Sequence, residues 1–272
     1  MTKTCIIILG MHRSGTSVVT GSVGMAGADL GPNLLGEIYY NPRGLFEDAK
    51  INLINSRFLY NQKTGWYRFF RYHPSEKTDS SPLRRLGTII DQFTGDVMVI
   101  KDPRIVLLIP LYLQVLKQRE IRPVFVIVNR NPHHIAVSLW KRDKMPLLYA
   151  YALTRFYYRQ MNRFLANTTA TRVVIEYNDF LDNPVDSIKS IFQKAGLPLD
   201  EQKAAQTEQL VNRDLNHGGK ETIPVMNKVL HVLSLPLMYL ILLAPWLKLD
   251  THFTRHIITH DFDFEGYQKQ HQ

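Results

Sequence analysis

A glycine-containing segment near the N-terminus carries the clearest chemical pattern in the sequence. Residues 10–17 read Gly-Met-His-Arg-Ser-Gly-Thr-Ser and directly follow a short apolar run at 4–9. The glycines allow a tight turn and a close approach of the backbone to a ligand. A helix that begins here presents unpaired N–H groups, which attract phosphate. We therefore predict a phosphate-binding loop whose donors are Ser14, Gly15, Thr16 and Ser17.

The spacing of this loop is that of a P-loop, with one departure. Thr16 occupies the position of the lysine that reaches the β- and γ-phosphates in P-loop kinases. The loss of that lysine argues against hydrolysis of ATP or GTP. Arg13, inside the loop, is the candidate for the missing cation.

A second candidate phosphate element lies at the end of the apolar run 124–128. Arg130 follows this run directly, and Ser138 lies eight residues farther on, in a helix that should begin near Pro132. Open α/β sheets bind ligands at the carboxyl ends of their strands. An arginine there is suited to bidentate contact with phosphate, to which a serine adds a hydrogen bond. The joint spacing of Arg130 and Ser138 therefore predicts a second phosphate site.

The elements that position these residues alternate between strand and helix. Continuous apolar runs, typical of strands buried on both faces, occupy residues 4–9, 97–100, 124–128 and 172–175. Helical patterns cover 147–166 and the segment from Pro184 to about residue 195, where Asn183 is the expected cap and Gly196 the stop. The pattern predicts an α/β three-layer sandwich with a mostly parallel central sheet and a P-loop-like nucleotide-binding core.

Composition narrows the choice of partner. The net charge of +9 suits an anionic ligand or an anionic membrane surface, and the absence of like-charge blocks and of nucleic-acid motifs disfavours nucleic acid. Cys5 is the single cysteine, so an intrachain disulfide and a cysteine-based metal site are excluded. The apolar stretch at the N-terminus is too short for a signal peptide, and we expect a cytoplasmic protein.

The C-terminal part differs from the rest. Residues 229–247 are nearly all apolar but are interrupted by His231 and two prolines. This segment is either a buried helical hairpin, an oligomer contact or a membrane-surface anchor. We expect a nucleotide-binding domain at 1–220 and a helical extension at 221–272. His252, His256 and His260 have helical spacing, but we interpret them as a solvated face and expect no metal site.

The two phosphate elements, together with Lys-Asp-Pro-Arg at 101–104, resemble the sulfotransferases that use 3′-phosphoadenosine-5′-phosphosulfate (PAPS). The resemblance runs to about residue 200 and is strongest to the bacterial and the tyrosylprotein or carbohydrate branches. It implies that residues 13–17 hold the 5′-phosphosulfate and that Arg130 and Ser138 hold the 3′-phosphate. Tyr177 matches a tyrosine near the adenine, and 213–219 matches a late basic loop.

The resemblance also implies the catalytic residues of a metal-independent in-line transfer. Lys101, with Arg13 beside it, assists the leaving phosphate, and Glu47 is the general base. Two alternatives for the base stay open, Asp102 and His12, and His12 serves either as the base or as a group that orients the sulfate. The aromatic segment 66–72 is either a wall of the acceptor cleft or part of the core.

Alternatives remain both for the acceptor molecule and for the activity itself. It favours a hydroxyl acceptor on a carbohydrate, glycolipid or polysaccharide, with peptide tyrosine and small metabolites as alternatives. Two other functions compete with the sulfotransferase: a P-loop kinase or other NTP-using enzyme, and a non-catalytic nucleotide-binding protein associated with a membrane.

Overall fold

The fold is seen in a computed structural model, which describes residues 2–36, 44–62, 64–68 and 80–211. Four features predicted from the sequence lie outside these residues. They are the apolar segment 229–247, the histidines at 252, 256 and 260, the basic loop 213–219 and the domain boundary at 220.

The described part contains a four-stranded, all-parallel sheet. Its strands are β1 (Thr4–Leu9), β2 (Val97–Lys101), β3 (Arg122–Asn129) and β4 (Thr171–Glu176), in the order β2-β1-β3-β4. Each strand contains one of the four apolar runs, which confirms the predicted mostly parallel sheet. The two central strands, β1 and β3, are apolar on both faces because helices cover both sides of the sheet.

Helices occupy most of the chain between the strands. They are α1 (Thr16–Met25), α2 (Ala49–Asn61), α3 (Ser80–Ile90), α4 (Ile105–Gln118), α5 (Pro132–Asp143), α6 (Leu147–Ala166), α7 (Tyr177–Asp182), α8 (Pro184–Ala195) and α9 (Glu201–Ala205), followed by a 3₁₀ helix, Gln206–Gln209. The predicted helices at 147–166 and 184–195 are both present, and a helix begins at Pro132 as expected.

The sheet separates two hydrophobic cores. Cys5, Ile7 and Leu9 of β1 pack on one side, against helices α2 to α6. Ile6 and Ile8 pack on the other side, against α1 and α7 to α9. Because side chains alternate across a strand, one continuous apolar run feeds both cores. The three layers of the predicted sandwich are therefore present.

Two Asn-Pro pairs precede helices, and they behave differently. Asn131 caps α5, with its side chain accepting a hydrogen bond from the His133 N–H at 2.8 Å. Asn183 lies at the start of α8, but its side chain makes no capping bond to the described residues. Its backbone (φ −137°, ψ 67°) is also the end of α7, and this conformation is not the extended one that a capping residue adopts. Asn183 therefore occupies the predicted cap position, with Pro184 at the start of the helix, but its side chain does not supply a capping bond. Gly196 ends α8 in the left-handed conformation (φ 62°), as predicted.

Within the described ranges, the helices are too short or too polar to cross a membrane.

Candidate active site

The carboxyl ends of the four parallel strands meet at one edge of the sheet. Strand β1 leads there into the loop 10–15, β2 ends at Lys101, β3 leads to Arg130, and β4 leads to Tyr177. The register pairs Ile8 with Lys101 across β1 and β2. Residues far apart in the sequence therefore converge at this edge, as open parallel sheets require of a ligand site.

The loop after β1 turns sharply into α1. Arg13 (φ 69°) and Gly15 (φ 97°) have positive φ angles, and α1 begins at Thr16. Within the described residues, no side chain caps the first turn of α1 and no acidic residue lies in it. The Ser14 hydroxyl is buried and lacks a hydrogen-bond partner among those residues. Uncapped N–H groups together with a buried, unused hydroxyl suit an anion at this position.

Tyr177 lies directly against the loop. A Cβ atom added at Gly15 would lie 2.1 Å from a ring carbon of Tyr177, so only glycine fits between the loop and this ring. The guanidinium of Arg130 lies over the same ring, 4.4 Å from its centre. Tyr177, the first residue of α7, thus packs against both the loop and Arg130.

Hydrogen bonds join the two predicted phosphate elements. Arg130 Nη1 donates to the carbonyl oxygen of Arg13 at 2.9 Å. Arg13 Nε in turn donates to Ser138 Oγ of α5 at 2.8 Å. The structure therefore brings Arg13, Ser138, Arg130 and Tyr177 together around the start of α1.

The positive charges of Arg13 and Arg130 are destabilised by their surroundings. Burial, with smaller contributions from Arg142 and Arg130, lowers the pKa of Arg13 to about 10. Burial likewise lowers the pKa of Arg130. Both groups are still cations at neutral pH, and an anion bound between them would relieve the desolvation and repulsion.

Lys101 joins the loop to Glu47. Its Nζ atom lies 2.7 Å from Glu47 Oε1 and donates to Ser17 Oγ at 3.1 Å. The second carboxylate oxygen of Glu47 accepts from Asn52 Nδ2 at 2.8 Å and lies 3.8 Å from Arg104. All of these groups except Ser17 are buried. A lysine between the hydroxyl of a phosphate-type loop and a buried carboxylate can stabilise negative charge that develops there.

Asp48, the neighbour of Glu47, performs the ordinary structural task of a helix-terminal acid. Its carboxylate accepts hydrogen bonds from the N–H groups of Lys50 and Ile51, at 2.9 and 3.1 Å, and so caps α2. Glu47 is therefore not needed as the cap, and its carboxylate is directed to Lys101 instead.

Asp102, an alternative base, is enclosed by donors. Its oxygens accept from the N–H and Nε of Arg104 and from Asn55 Nδ2, all within 3.1 Å, and its side chain is fully buried. Tyr112 in turn donates to Asn55 at 3.0 Å. This network favours a structural role for Asp102, which fixes the turn after β2.

His12, the other alternative, lies on an aromatic layer. Its ring centre is 4.2 Å from that of Trp66, and Tyr157 approaches edge-on at 6.4 Å. The Trp66 carbonyl accepts from the Tyr157 hydroxyl at 2.9 Å, and Trp66 is buried. The described part of the aromatic segment, 66–68, therefore supports His12 from the core. Residues 69–72 lie outside the described part.

Two residues close to the Glu47 carboxylate, Arg104 and Asn52, had no predicted role. Arg104 belongs to the Lys-Asp-Pro-Arg segment, so its proximity to the site had a sequence signal. Asn52 lies in the second turn of α2, where nothing in the sequence distinguishes it from any other helix residue. For metals, the described residues contain no group of three or more His, Cys, Asp or Glu side chains that could hold an ion.

The fold defines an α/β protein in which a P-loop-like junction joins β1 to α1 at the carboxyl ends of the parallel strands. No protein-family model matches the sequence, and no curated protein matches it by sequence. Among solved structures, sulfotransferase STF9 from Mycobacterium avium has a TM-score of 0.53 at 16% identity, covering 81% of this chain and 69% of its own.

Two further structures have lower TM-scores. Sulfotransferase STF1 from Mycobacterium tuberculosis H37Rv gives 0.47 at 15% identity, covering 84% of this chain and 76% of its own. The sulfotransferase domain of the curacin biosynthetic pathway gives 0.46 at 14% identity, covering 75% and 77%. The likeness to the M. avium protein shows that this chain shares the fold of a bacterial sulfotransferase.

Proposed function

We propose that this protein is a PAPS-dependent sulfotransferase that transfers a sulfuryl group to a hydroxyl acceptor without a metal ion. The observation that carries the proposal is the position of Lys101, between Ser17 of the loop and the buried Glu47. The shared fold and the two joined phosphate elements support it.

The residues at the strand edge fit PAPS. Among the described residues, the Ser14 hydroxyl has no partner and no side chain caps α1, and both features suit the 5′-phosphosulfate. Arg130 and Ser138 would hold the 3′-phosphate, and Tyr177 would lie beside the adenine. PAPS supplies the sulfuryl group together with a phosphate leaving group.

Glu47 Oε1 is the proposed proton acceptor. Asn52 and Arg104 hold the other oxygen, Oε2, and so orient the carboxylate with Oε1 toward Lys101 and the loop. The acceptor hydroxyl gives its proton to Oε1 while its oxygen forms a bond to sulfur. The bond from sulfur to the phosphate oxygen breaks, and that oxygen keeps the electron pair.

Lys101 and Arg13 stabilise the charge that this step produces. Lys101 is close enough to the loop to donate to the oxygen that leaves with the phosphate, and Arg13 adds a second cation. The sulfuryl group carries less charge than a phosphoryl group, so these two cations replace the magnesium ion of a kinase.

A thermal-shift comparison separates this proposal from a kinase. Adenosine 3′,5′-bisphosphate (PAP), the product nucleotide, should raise the melting temperature, and ATP with magnesium should not. A ligand at about 100 times its dissociation constant adds roughly 2.7 kcal/mol of stability, which a melting curve detects. Stabilisation by ATP with magnesium and none by PAP would overturn the proposal.

Turnover with PAPS separates an enzyme from a nucleotide-binding protein that lacks activity. We propose a carbohydrate, glycolipid or polysaccharide acceptor, and a panel of these with radiolabelled PAPS should give a labelled product. Labelling of peptide tyrosine or of a small metabolite alone would assign a different acceptor. We also propose a cytoplasmic location and a membrane-surface or oligomer contact through residues 229–247.

A further inference from the structure

His12 has a buried hydrogen-bonding atom that the described protein does not use. Its Nε2 atom is shielded from solvent and has no hydrogen-bond partner among the described residues. The ring is held from below by Trp66 and at its edge by Tyr157. A buried polar atom without a partner is destabilising, so a partner that arrives with the ligand would explain why the ring is held there.

The charged groups around His12 come from three other segments as well as from its own loop. Arg142 of α5 repels a proton on the ring, as do Arg104 in the turn after β2, Lys101 at the end of β2 and Arg13 in the loop. The nearby acids are already paired: Asp143 with Arg142, Asp102 with Arg104, and Glu47 with Lys101. The ring therefore borders a site of net positive charge, which an anion would fill.

Two of the cations that lower the pKa of His12, Lys101 and Arg104, also approach the carboxylate of Glu47. The imidazole and Glu47 therefore share these two cations. On the proposed function, the sulfuryl group passes from the loop that carries His12 to the acceptor beside Glu47.

The imidazole is suited to donating a hydrogen bond and unsuited to accepting a proton. Burial, followed by repulsion from Arg142, Arg104, Lys101 and Arg13, lowers the pKa of His12 well below its ordinary value. A proton taken from an acceptor would create an imidazolium that these four cations repel. A neutral imidazole, in contrast, carries one N–H that can donate to an anion without adding a charge.

We propose that His12, in the neutral tautomer with the proton on Nε2, donates a hydrogen bond to a sulfuryl oxygen. It orients this group for in-line transfer and is not the general base. This inference rests on the proposed sulfotransferase function and adds a catalytic contact to it.

Two substitutions separate the hydrogen bond from the aromatic contact. His12→Phe keeps the ring on Trp66 and removes the donor, whereas His12→Gln keeps an N–H near the position of Nε2 and cannot titrate. Titration calorimetry with PAP and with PAPS then measures the contact directly, because PAP lacks the sulfuryl group. We expect His12→Phe to leave PAP affinity unchanged and to weaken PAPS affinity by about 10-fold or more, as expected for a hydrogen bond to a charged group. His12→Gln should recover most of this loss.

The pH dependence of kcat provides a second test. Since His12 does not titrate near neutrality in this scheme, the acidic limb of the profile should be the same in His12→Gln and in the wild type. Equal weakening of PAP and PAPS by His12→Phe would assign the contact to the phosphate and overturn the proposal. Loss of the acidic limb in His12→Gln would instead make His12 the base.

Failure of the inference and failure of the proposed function give different results. A wild-type protein that binds neither PAP nor PAPS removes the function and the inference together. A wild-type protein that binds both, with unchanged PAPS affinity in His12→Phe, keeps the function and removes only the contact of His12.

Discussion

Two adjacent acids, Glu47 and Asp48, have different partners and therefore different expected roles. Glu47 is paired with Lys101 beside the loop, whereas Asp48 accepts from the first N–H groups of α2. Glu47→Gln should lower kcat by roughly 100-fold to 10,000-fold, the usual range for a lost general base. Asp48→Ala should lower the free energy of unfolding by about 1 kcal/mol, as for other lost helix caps, and leave kcat nearly unchanged. Steady-state kinetics and urea unfolding measure the two effects.

PAP affinity provides the control for this pair, because Glu47→Gln breaks a buried ion pair and affects stability as well. An unchanged affinity for PAP in Glu47→Gln shows that the site is still folded. High activity in Glu47→Gln, together with low activity in Asp48→Ala, would reverse the assignment.

Arg130 combines a stacking contact with a hydrogen bond, which a lysine cannot reproduce. Its planar guanidinium lies over Tyr177 and donates to the Arg13 carbonyl. Arg130→Lys should weaken PAP binding by roughly 10-fold to 100-fold, the range expected for lost charge-assisted hydrogen bonds. The matched control is Arg159→Lys, on the exposed face of α6.

A comparison of PAP with adenosine 5′-phosphate identifies which phosphate Arg130 holds. If Arg130 binds the 3′-phosphate, Arg130→Lys weakens PAP and leaves the affinity for adenosine 5′-phosphate unchanged. Equal weakening of both nucleotides, measured by calorimetry, would contradict the assignment.

At the scale of elements, the junction between β1 and α1 fits tightly against the junction between β4 and α7. Gly15 has a positive φ and leaves no room for a Cβ beside Tyr177, whereas Gly27, after α1, has a positive φ of 111° and open space around it. Gly15→Ala and Gly27→Ala therefore share the conformational strain, of roughly 1–3 kcal/mol, but only Gly15→Ala adds the clash.

We expect Gly15→Ala to lose measurable PAP binding and Gly27→Ala to keep it with reduced stability. Calorimetry for binding and urea unfolding for stability distinguish the two. Normal PAP binding by Gly15→Ala would show that the loop tolerates a shift of the Tyr177 ring.

Helices and strands were predictable from the sequence where they depend on neighbouring residues. The strands and the helices at 147–166 and 184–195 were predicted correctly, because apolar runs and helical periodicity depend on neighbouring residues. The cap position at Asn183 was predicted correctly, but its side chain makes no capping bond to the described residues, unlike the side chain of Asn131. Asn183 also directly follows the last residue of α7, Asp182, which a local pattern does not reveal.

At the scale of the whole molecule, Asp29 ties the segment after α1 to the turn before β2. Its carboxylate accepts from the N–H groups of Gly31, Thr94 and Gly95, at distances of 2.7 to 2.9 Å. Burial by itself would raise the pKa of Asp29, but the hydrogen bonds from Gly95, Gly31 and Thr94 outweigh it, so the pKa is lower than the ordinary 3.8.

The sign of this pKa shift sets the pH range in which Asp29 contributes. A carboxyl with a lowered folded-state pKa stabilises the fold above the unfolded pKa, and the stability is lost as the pH falls through the folded value. Asp29→Ala should therefore lower the free energy of unfolding by about 1 kcal/mol at pH 7, with a smaller difference from the wild type below pH 3.8.

Urea unfolding at the two pH values measures this difference. The control is Asp96→Ala, in which the exposed carboxyl of the same turn is removed and the stability difference should be small at both pH values. An effect of Asp29→Ala that is the same at both pH values would contradict the electrostatic explanation.

The sequence by itself determined the strands, the helices at 147–166 and 184–195, the P-loop-like spacing of residues 10–17 and the residue types at the strand ends. These features rest on local periodicity, on glycine conformation and on the position of polar residues at strand ends. For the general base, the resemblance favoured Glu47, and His12 and Asp102 stayed open as alternatives.

Only the tertiary structure decided how these residues are paired. Glu47 meets Lys101 across 54 residues of chain, and Arg13 meets Ser138 across 125. Asp102 is enclosed by Arg104 and Asn55, while the Nε2 atom of His12 lacks a partner among the described residues. Pairings over such separations depend on how helices pack on the two faces of the sheet, and packing is a property of the whole fold. The loop at 10–17 was readable in the sequence, but the cations and the carboxylate that surround it became specific partners only in three dimensions.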